Sequence, residues 1–408
     1  MRSDSVKNMS AYADQNHAPS LAAARLEFLL CLAFFFWYTF LMQEGTPKYP
    51  AGKKRFQMNR HFSYIIFLLL CTVFLSGCKN TDSTLQNSQD TSQPLQETSL
   101  KLNTVVTITI YDSQDQALLD HSMALCDKYE KIFSRTLETS ELYQLNHRKL
   151  PHVNGRENSY QISQSLADLI ATGLSYSEAT QGAFDIAIAP LTSLWDFTSE
   201  NPIPPEDSAI HAALSSCGHQ HVNLQDQTIT FDSPDIQIDL GAVAKGYIAD
   251  RIKEYLVSQG VESGIINLGG NVLCIGKKPD GTPFKIGIQK PFADRNETEA
   301  IMDITNKSVV SSGIYERCFQ YKGKSYHHIL NPKTGYPYQN GLISVTIVCD
   351  QSVMGDALST SCFALGLEEG LAYAESLDNV QAVFITDDYE MHYTKGFQKE
   401  IPVTDSKS

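Results

Sequence analysis

From Val105 onward, helical and strand periodicities follow one another in an irregular order, and this irregularity limits the possible folds more than any other feature. Val105 to Tyr111 alternates as a strand, while Gln116 to Phe133 and Ser163 to Thr180 carry helical stripes. Pro202, Pro204 and Pro205 mark a loop before another short helix. His221 to Leu224 and Thr228 to Asp232 read as a hairpin around Gln225-Asp226, and Asp239 closes a short strand. Val243 to Leu256 forms a helical stripe that stops before Gly260. Ile265 to Ile275, Phe284 to Ile288, Ile343 to Cys349 and Val380 to Thr386 read as further strands. No internal repeat is visible. The mixed order gives an α+β class, with one elaborate domain over 100–400 and a tail over 401–408.

The segment before this domain reads as an export signal. Arg60 and His61 precede an apolar run from Tyr64 to Phe74, which is short for a membrane span, and Leu75-Ser76-Gly77-Cys78 follows. That pattern resembles the bacterial lipobox, which implies a signal peptide over 58–77, a lipidated Cys78 as the mature first residue and a membrane-anchored, extracytoplasmic protein. Residues 1–57 contain a second apolar run, Phe28 to Met42. Either this is a short membrane segment of its own, or the true start is Met58 and 1–57 is a mis-assigned extension, the reading adopted here. Lys79 to Ser99 is rich in Ser, Thr, Asn, Asp and Gln and reads as a flexible tether, so 78–99 links the lipid to the domain.

A formal charge of −14 over 408 residues, with no basic tract, argues against general nucleic-acid binding. Beyond Cys78 lie Cys126, Cys217, Cys274, Cys318, Cys349 and Cys362, with no Cys-x-x-Cys pair to suggest a zinc ribbon or thioredoxin-like site.

Several short motifs carry chemistry, each with a plainer alternative. In Asp356-Ala357-Leu358-Ser359-Thr360, a helical turn returns Ser359 and Thr360 to the face of Asp356. One carboxylate and two hydroxyls suit Mg2+ shared with substrate phosphates, although helix capping would use the same residues. Asp239-Leu240-Gly241-Ala242-Val243-Ala244-Lys245-Gly246 places an acid before a helix start and a lysine just inside it, a setting that favours phosphate or serves as a simple cap. Asp185, in the apolar run Gly182 to Leu191, needs a partner because an unpaired buried carboxylate is costly, and a bound ligand is one source. Asn267-Leu268-Gly269-Gly270-Asn271 allows close backbone approach to a ligand or makes a tight turn. His327 and His328 point to opposite faces if extended, so they do not chelate one ion together, and one of them is a candidate general base. No Gly-x-Ser-x-Gly elbow, His-Glu-x-x-His pair, Walker loop or Gly-x-Gly-x-x-Gly fingerprint occurs.

Taken in order from about Leu102 to Gly366, these pieces resemble the FAD:protein FMN transferases of the ApbE type. The resemblance rests on Leu102-Asn103-Thr104, on Ser140-Glu141-Leu142 to Asn146, on Gly182 to Leu191 and on Asp239 to Gly246. It continues through Gly269-Gly270, Ser312-Gly313-Ile314-Tyr315-Glu316-Arg317, His328 to Gly335 and Asp356 to Thr360. Leu102-Asn103 stands where the family has Met-Gly, and Asn331 where it commonly has Asp, so no acidic role passes to Asn331. The resemblance implies a T-fold-like domain that binds FAD through Leu102, Phe184, Asp185, Ile186, Asp239, Lys245, His328 and Ile329. It also implies Mg2+ held by Asp356 and Thr360 with help from Ser359 and the Ala242 carbonyl. In the implied reaction a Thr or Ser hydroxyl of an acceptor flavoprotein, assisted by His328, attacks the FMN phosphorus and AMP leaves. Hydrolysis of FAD to FMN and AMP, or capture of FAD without turnover, are the alternatives.

Overall fold

The computed structural model describes residues 93–294 and 297–405. The extension 1–57, the signal peptide 58–77, Cys78 and most of the expected tether lie outside the described residues. Among the described residues, no helix is long and apolar enough to cross a membrane.

Eight strands form one antiparallel sheet: β1 (Leu95–Lys101), β2 (Thr104–Ile110), β6 (Ser263–Leu268), β7 (Asn271–Gly276), β10 (Ser308–Gly313), β13 (Leu342–Cys349), β14 (Gln381–Thr386) and β15 (Met391–Tyr393), in that spatial order. Three small sheets accompany it. β3 (Ser159–Gln161), β5 (Thr228–Phe231) and β4 (Val222–Gln225) form one, and β16 (Val403–Asp405), β9 (Thr298–Ile304) and β8 (Phe284–Gln289) another. β11 (Cys318–Tyr321) and β12 (Lys324–His327) make a separate hairpin. The helices are α1 (Gln116–Phe133), α2 (Glu141–Asn146), α3 (Gln164–Ala179), α4 (Ala189–Thr192), α5 (Asp207–Leu214), α6 (Ala244–Ser258), α7 (Ser352–Leu365), α8 (Leu367–Glu375) and α9 (Phe397–Glu400). Antiparallel strands grouped with helices match the expected α+β class.

The main sheet is covered on both sides. Val106, Ile108, Ile266, Leu268 and Leu273 pack with residues of α1, α3 and α6 in one core cluster. β8 and β9 bring Phe284, Ile286, Ile288, Met302 and Ile304 against Cys274, Val309, Val348 and Val383 in another. Val345, Ile347 and Cys349 of β13 meet Leu358, Cys362 and Phe363 of α7. β13 thus serves two cores at once, and this is why Leu-Ile-Ser-Val-Thr-Ile-Val-Cys is buried along its whole length instead of alternating.

Several boundaries differ from the sequence reading. Residues 95–99, expected at the end of the tether, belong to β1, which pairs with β2 from Leu95 opposite Ile110 to Lys101 opposite Thr104. An edge strand is held by main-chain bonds and needs few apolar side chains, so Leu-Gln-Glu-Thr-Ser-Leu-Lys looked like linker. The tail is likewise partly built in, because Val403 to Asp405 pair with Met302 to Ala300. Ile265 to Ile275 is two strands folded at Gly269-Gly270, both with positive φ, and a Cβ on Gly269 would lie 2.1 Å from Thr104 Oγ1. The segment ending at Asp239 joins no sheet. Asn146 instead takes both main-chain groups of Ile238, donating to its carbonyl at 2.8 Å and accepting from its N–H at 2.9 Å. The six cysteines Cys126, Cys217, Cys274, Cys318, Cys349 and Cys362 are all free thiols.

Candidate active site

Two helices meet at the site. A Cβ added to Gly246 in α6 would stand 2.3 Å from the Ser352 carbonyl oxygen and 2.6 Å from Val353 Cα, so only glycine lets α6 come this close to the start of α7. Asp250, one turn further along α6, accepts from the N–H groups of Ser352 at 2.8 Å and Val353 at 2.9 Å. A carboxylate from one helix therefore caps the other. Ser352 adds a bond from its hydroxyl to Asn271 Oδ1 at 2.6 Å and shares another with Ser308 at 2.9 Å.

This junction fixes Asp356. The residue lies inside α7 rather than at its start, which removes the capping alternative, and Asp250 fills that role. The Asp356 carboxylate is buried and accepts from the Gly246 N–H at 2.9 Å. Burial pushes its pKa up, opposed first by the Lys245 ammonium and then by the Gly246 N–H. A buried acid favoured toward its neutral form needs positive charge to ionise, and Lys245 is the charge it feels most. The Asn271 side chain lies beside the carboxylate and also favours its ionised form.

Ser359 and Thr360 return beside Asp356 as the helical spacing requires. Ser359 is fully buried and donates to the Asp356 carbonyl at 3.0 Å, and Ser312 Oγ lies 2.8 Å from its hydroxyl and 3.0 Å from that of Thr360. Ser359 is thus packed beneath the site, whereas Thr360 is only partly buried. Asp356, the Thr360 hydroxyl and the Ala242 carbonyl before α6 offer hard oxygen donors. Their chemistry and the raised pKa of Asp356 fit a hard dication, which keeps much of its shell for water and phosphate.

The histidines face apart, as expected for extended backbone. His327 is buried, with Nε2 2.8 Å from the Tyr338 carbonyl and its ring against Phe363. His328 turns the other way. Its pKa is driven down to about 4 by burial, by Arg317, by His327 and more weakly by Lys245, against the opposing pull of a hydrogen bond to the Arg317 backbone. The imidazole is therefore neutral at pH 7 and free to accept a proton.

The remaining expected residues form the flank. The Phe184 to Ile186 segment is tied to α3: the Phe184 N–H donates to Thr180 Oγ1 at 3.0 Å, and the Ile186 N–H to Ser177 Oγ at 3.2 Å. Phe184 and Ile186 are both buried, and the Ile186 carbonyl accepts from the Asp239 N–H at 2.8 Å. Asp185 finds partners within the protein. His219 gives it both a main-chain N–H and Nδ1 at 2.8 Å, and the Ala187 N–H adds a bond at 2.8 Å. Asp239 accepts from Gly241 N–H and Thr192 Oγ1, each at 2.9 Å, and pairs with Arg135 Nε at 3.0 Å. Leu102 sits with Asn103 in a turn of positive φ between β1 and β2 and packs on the large core. The Ile329 side chain is taken up by the α7 core.

The structure thus gathers Lys245, Asp356, Thr360 and His328, and it adds Asn271, Ser312, Arg317 and Asp250 to them. Asn271, Ser312 and Arg317 stood inside recognised motifs, whereas Asp250 and the flank partners Arg135 and His219 carried no local signal at all. Asn331 is a turn former: its side chain accepts from the Lys333 N–H at 2.8 Å and its carbonyl from the Gly335 N–H at 2.8 Å.

The chain is similar to several known proteins. The ApbE family pattern matches residues 102–384. A FAD:protein FMN transferase of Klebsiella pneumoniae is 37% identical over 276 residues, covering 67% of this chain and 84% of that protein. One from Treponema pallidum is 28% identical over 327 residues, covering 76% and 89%. Among solved structures, the Thermotoga maritima ApbE protein superposes with a TM-score of 0.67 at 28% identity, over 75% of this chain and 99% of that one. The flavin transferase ApbE of Vibrio cholerae gives 0.66 at 25% identity, over 75% and 99%. The family pattern, the relatives and the fold converge, and the chain belongs to the ApbE family.

Proposed function

We propose that this chain is an FAD:protein FMN transferase that moves the FMN part of FAD onto a Thr or Ser hydroxyl of an acceptor flavoprotein and releases AMP. The observation that carries the reading is a buried carboxylate, Asp356, and a neutral imidazole, His328, that both feel the charge of Lys245. In the transfer, the acceptor oxygen bonds to the FMN phosphorus and the anhydride P–O bond breaks. AMP departs with the bonding electrons, and the hydroxyl proton passes to His328. Such a displacement needs positioned charge more than a covalent enzyme nucleophile.

Mg2+ belongs to this proposal, held by Asp356, Thr360 and the Ala242 carbonyl. When bound, it would spread the negative charge of the diphosphate. The Lys245 ammonium and the positive end of the α6 dipole act in the same direction. Phe184, Ile186, Asp239 and Leu102 would line the flavin nucleotide, and Asp185 would hold that wall in place through His219. Cys78 would carry the lipid that keeps the enzyme on the outer side of a membrane, where its acceptors would be reached; the support is the Leu75-Ser76-Gly77-Cys78 pattern.

The test is AMP release from FAD by the purified protein, with Mg2+ and acceptor each present or withheld. Release that needs both supports transfer. Release without acceptor at the same rate would point to hydrolysis, and bound FAD with no AMP to capture alone.

A further inference from the structure

We propose that Arg317 is a second phosphate-binding catalytic residue, whose guanidinium grips the diphosphate of FAD from the side opposite Lys245; this rests on the transfer reaction proposed above. The geometry begins in the β11–β12 hairpin, whose register pairs Cys318 with His327 and Phe319 with Tyr326. One step further, the His328 N–H donates to the Arg317 carbonyl at 3.1 Å, so Arg317 and His328 are direct cross-strand neighbours. Residues opposite each other in an antiparallel pair project to the same face. Phe319 and Tyr326 confirm the phase, because their rings stack at 5.3 Å on that face.

Arg317 is also placed by the strand before it. Ser312 of β10 reaches the Thr360 hydroxyl at 3.0 Å, and the chain then turns through Gly313, where a Cβ would collide with the Tyr315 ring at 2.7 Å. Only four residues thus separate Ser312, whose hydroxyl orients Thr360, from Arg317 beside His328. One short segment touches the oxygen donors at one end and the base at the other.

The side chain is exposed, and among the described ion pairs none engages Arg317. Its charge is nonetheless felt at His328, where it is the largest cause after burial of the lowered pKa. A guanidinium beside a neutral base, in a protein of net charge −14, matches an anion between them. Its planar fork can hold two phosphate oxygens together, and negative charge on those oxygens and on departing AMP is what the reaction must stabilise.

The test compares the wild type with Arg317→Ala and Arg317→Lys. Because the bond to His328 uses the Arg317 main chain, both variants keep the backbone that places the base. Arg317→Ala is expected to slow AMP release at saturating FAD and acceptor by roughly 100-fold, and Arg317→Lys to recover part of it because charge without the fork remains. The acid limb of kcat/KM should also move to higher pH in Arg317→Ala, since the groups facing His328 then reduce to His327 and Lys245. A purely structural role would leave that limb in place. The proposal is overturned if Arg317→Ala turns over within about twofold of wild type, or if its loss comes with an unmoved acid limb and a lowered Tm. A wild type that releases no AMP would instead remove the underlying transfer reaction.

Discussion

Replacing Gly246 by alanine sets two known effects against each other. In a helix interior, alanine is favoured over glycine by about 1 kcal/mol, so on propensity alone the variant is stabilised. The structure opposes this. The new methyl would meet the Ser352 carbonyl oxygen at 2.3 Å, about 1 Å inside ordinary contact, with Val353 Cα at 2.6 Å. These are main-chain atoms and cannot swing away. Relief requires α6 and α7 to part, and overpacking of this kind costs roughly 1–3 kcal/mol or more. The clash therefore outweighs the propensity gain by up to about 2 kcal/mol, a fall in Tm of up to about 3 °C for a domain of this size. The effect on catalysis should be larger, because separating the helices stretches the bond from Gly246 N–H to Asp356 and moves Lys245 away from the carboxylate. A shift near 1 Å at such a site can lower the rate on the order of 100-fold. Thermal unfolding followed by circular dichroism, together with AMP release at saturating FAD, measures both. An alanine variant with wild-type Tm and wild-type turnover would refute the close helix contact as the origin of the site.

Other perturbations separate the roles further. Asp356→Asn removes a buried charge whose pKa is raised by burial, so the metal-free protein should keep or slightly gain thermal stability. The same variant should lose any rise in Tm on adding Mg2+ and lose turnover, and a Mg2+ response equal to wild type would remove Asp356 from the ion's ligands. Asp250→Ala leaves the Ser352 and Val353 N–H groups without their acceptor and is expected to cost about 1–2 kcal/mol in urea unfolding; an unchanged midpoint would contradict its capping role. For the free enzyme, kcat/KM should hold as pH falls through 6.5 and decline only toward about 4, because His328 stays neutral over that window. The sign follows from its lowered pKa: protonation, which removes the base, is delayed to lower pH. An acid limb at an ordinary histidine value would argue against His328. Cys78→Ser should move the protein from the membrane to the soluble fraction of expressing cells, whereas continued membrane retention would count against lipid anchoring there.

The sequence disclosed the parts of this site that are local and hid those that depend on distant partners. Gln116 to Phe133 was readable to the residue because seven buried positions recur at helical spacing, with Asp115 capping the first turn. Asp356, Ser359 and Thr360 share a helix, so their common face follows from spacing alone. By contrast, the partner of Asp185 is His219, thirty-four positions away, and the cap of α7 is Asp250, 102 positions before Ser352. No periodicity encodes such pairings. Asn146 shows how a motif can be visible and its purpose hidden: its amide substitutes for a missing strand partner at Ile238, just before Asp239. β1 escaped notice because an edge strand made by main-chain bonds leaves little trace in side-chain hydrophobicity.

The most direct test of the proposed chemistry is the intact mass of an acceptor flavoprotein after incubation with the enzyme, FAD and Mg2+, read alongside the AMP formed. Transfer gives an increase equal to one FMN less one water, lost on changing the acceptor hydroxyl residue to alanine, with one AMP per modified acceptor. AMP accumulating beside an acceptor of unchanged mass would contradict it.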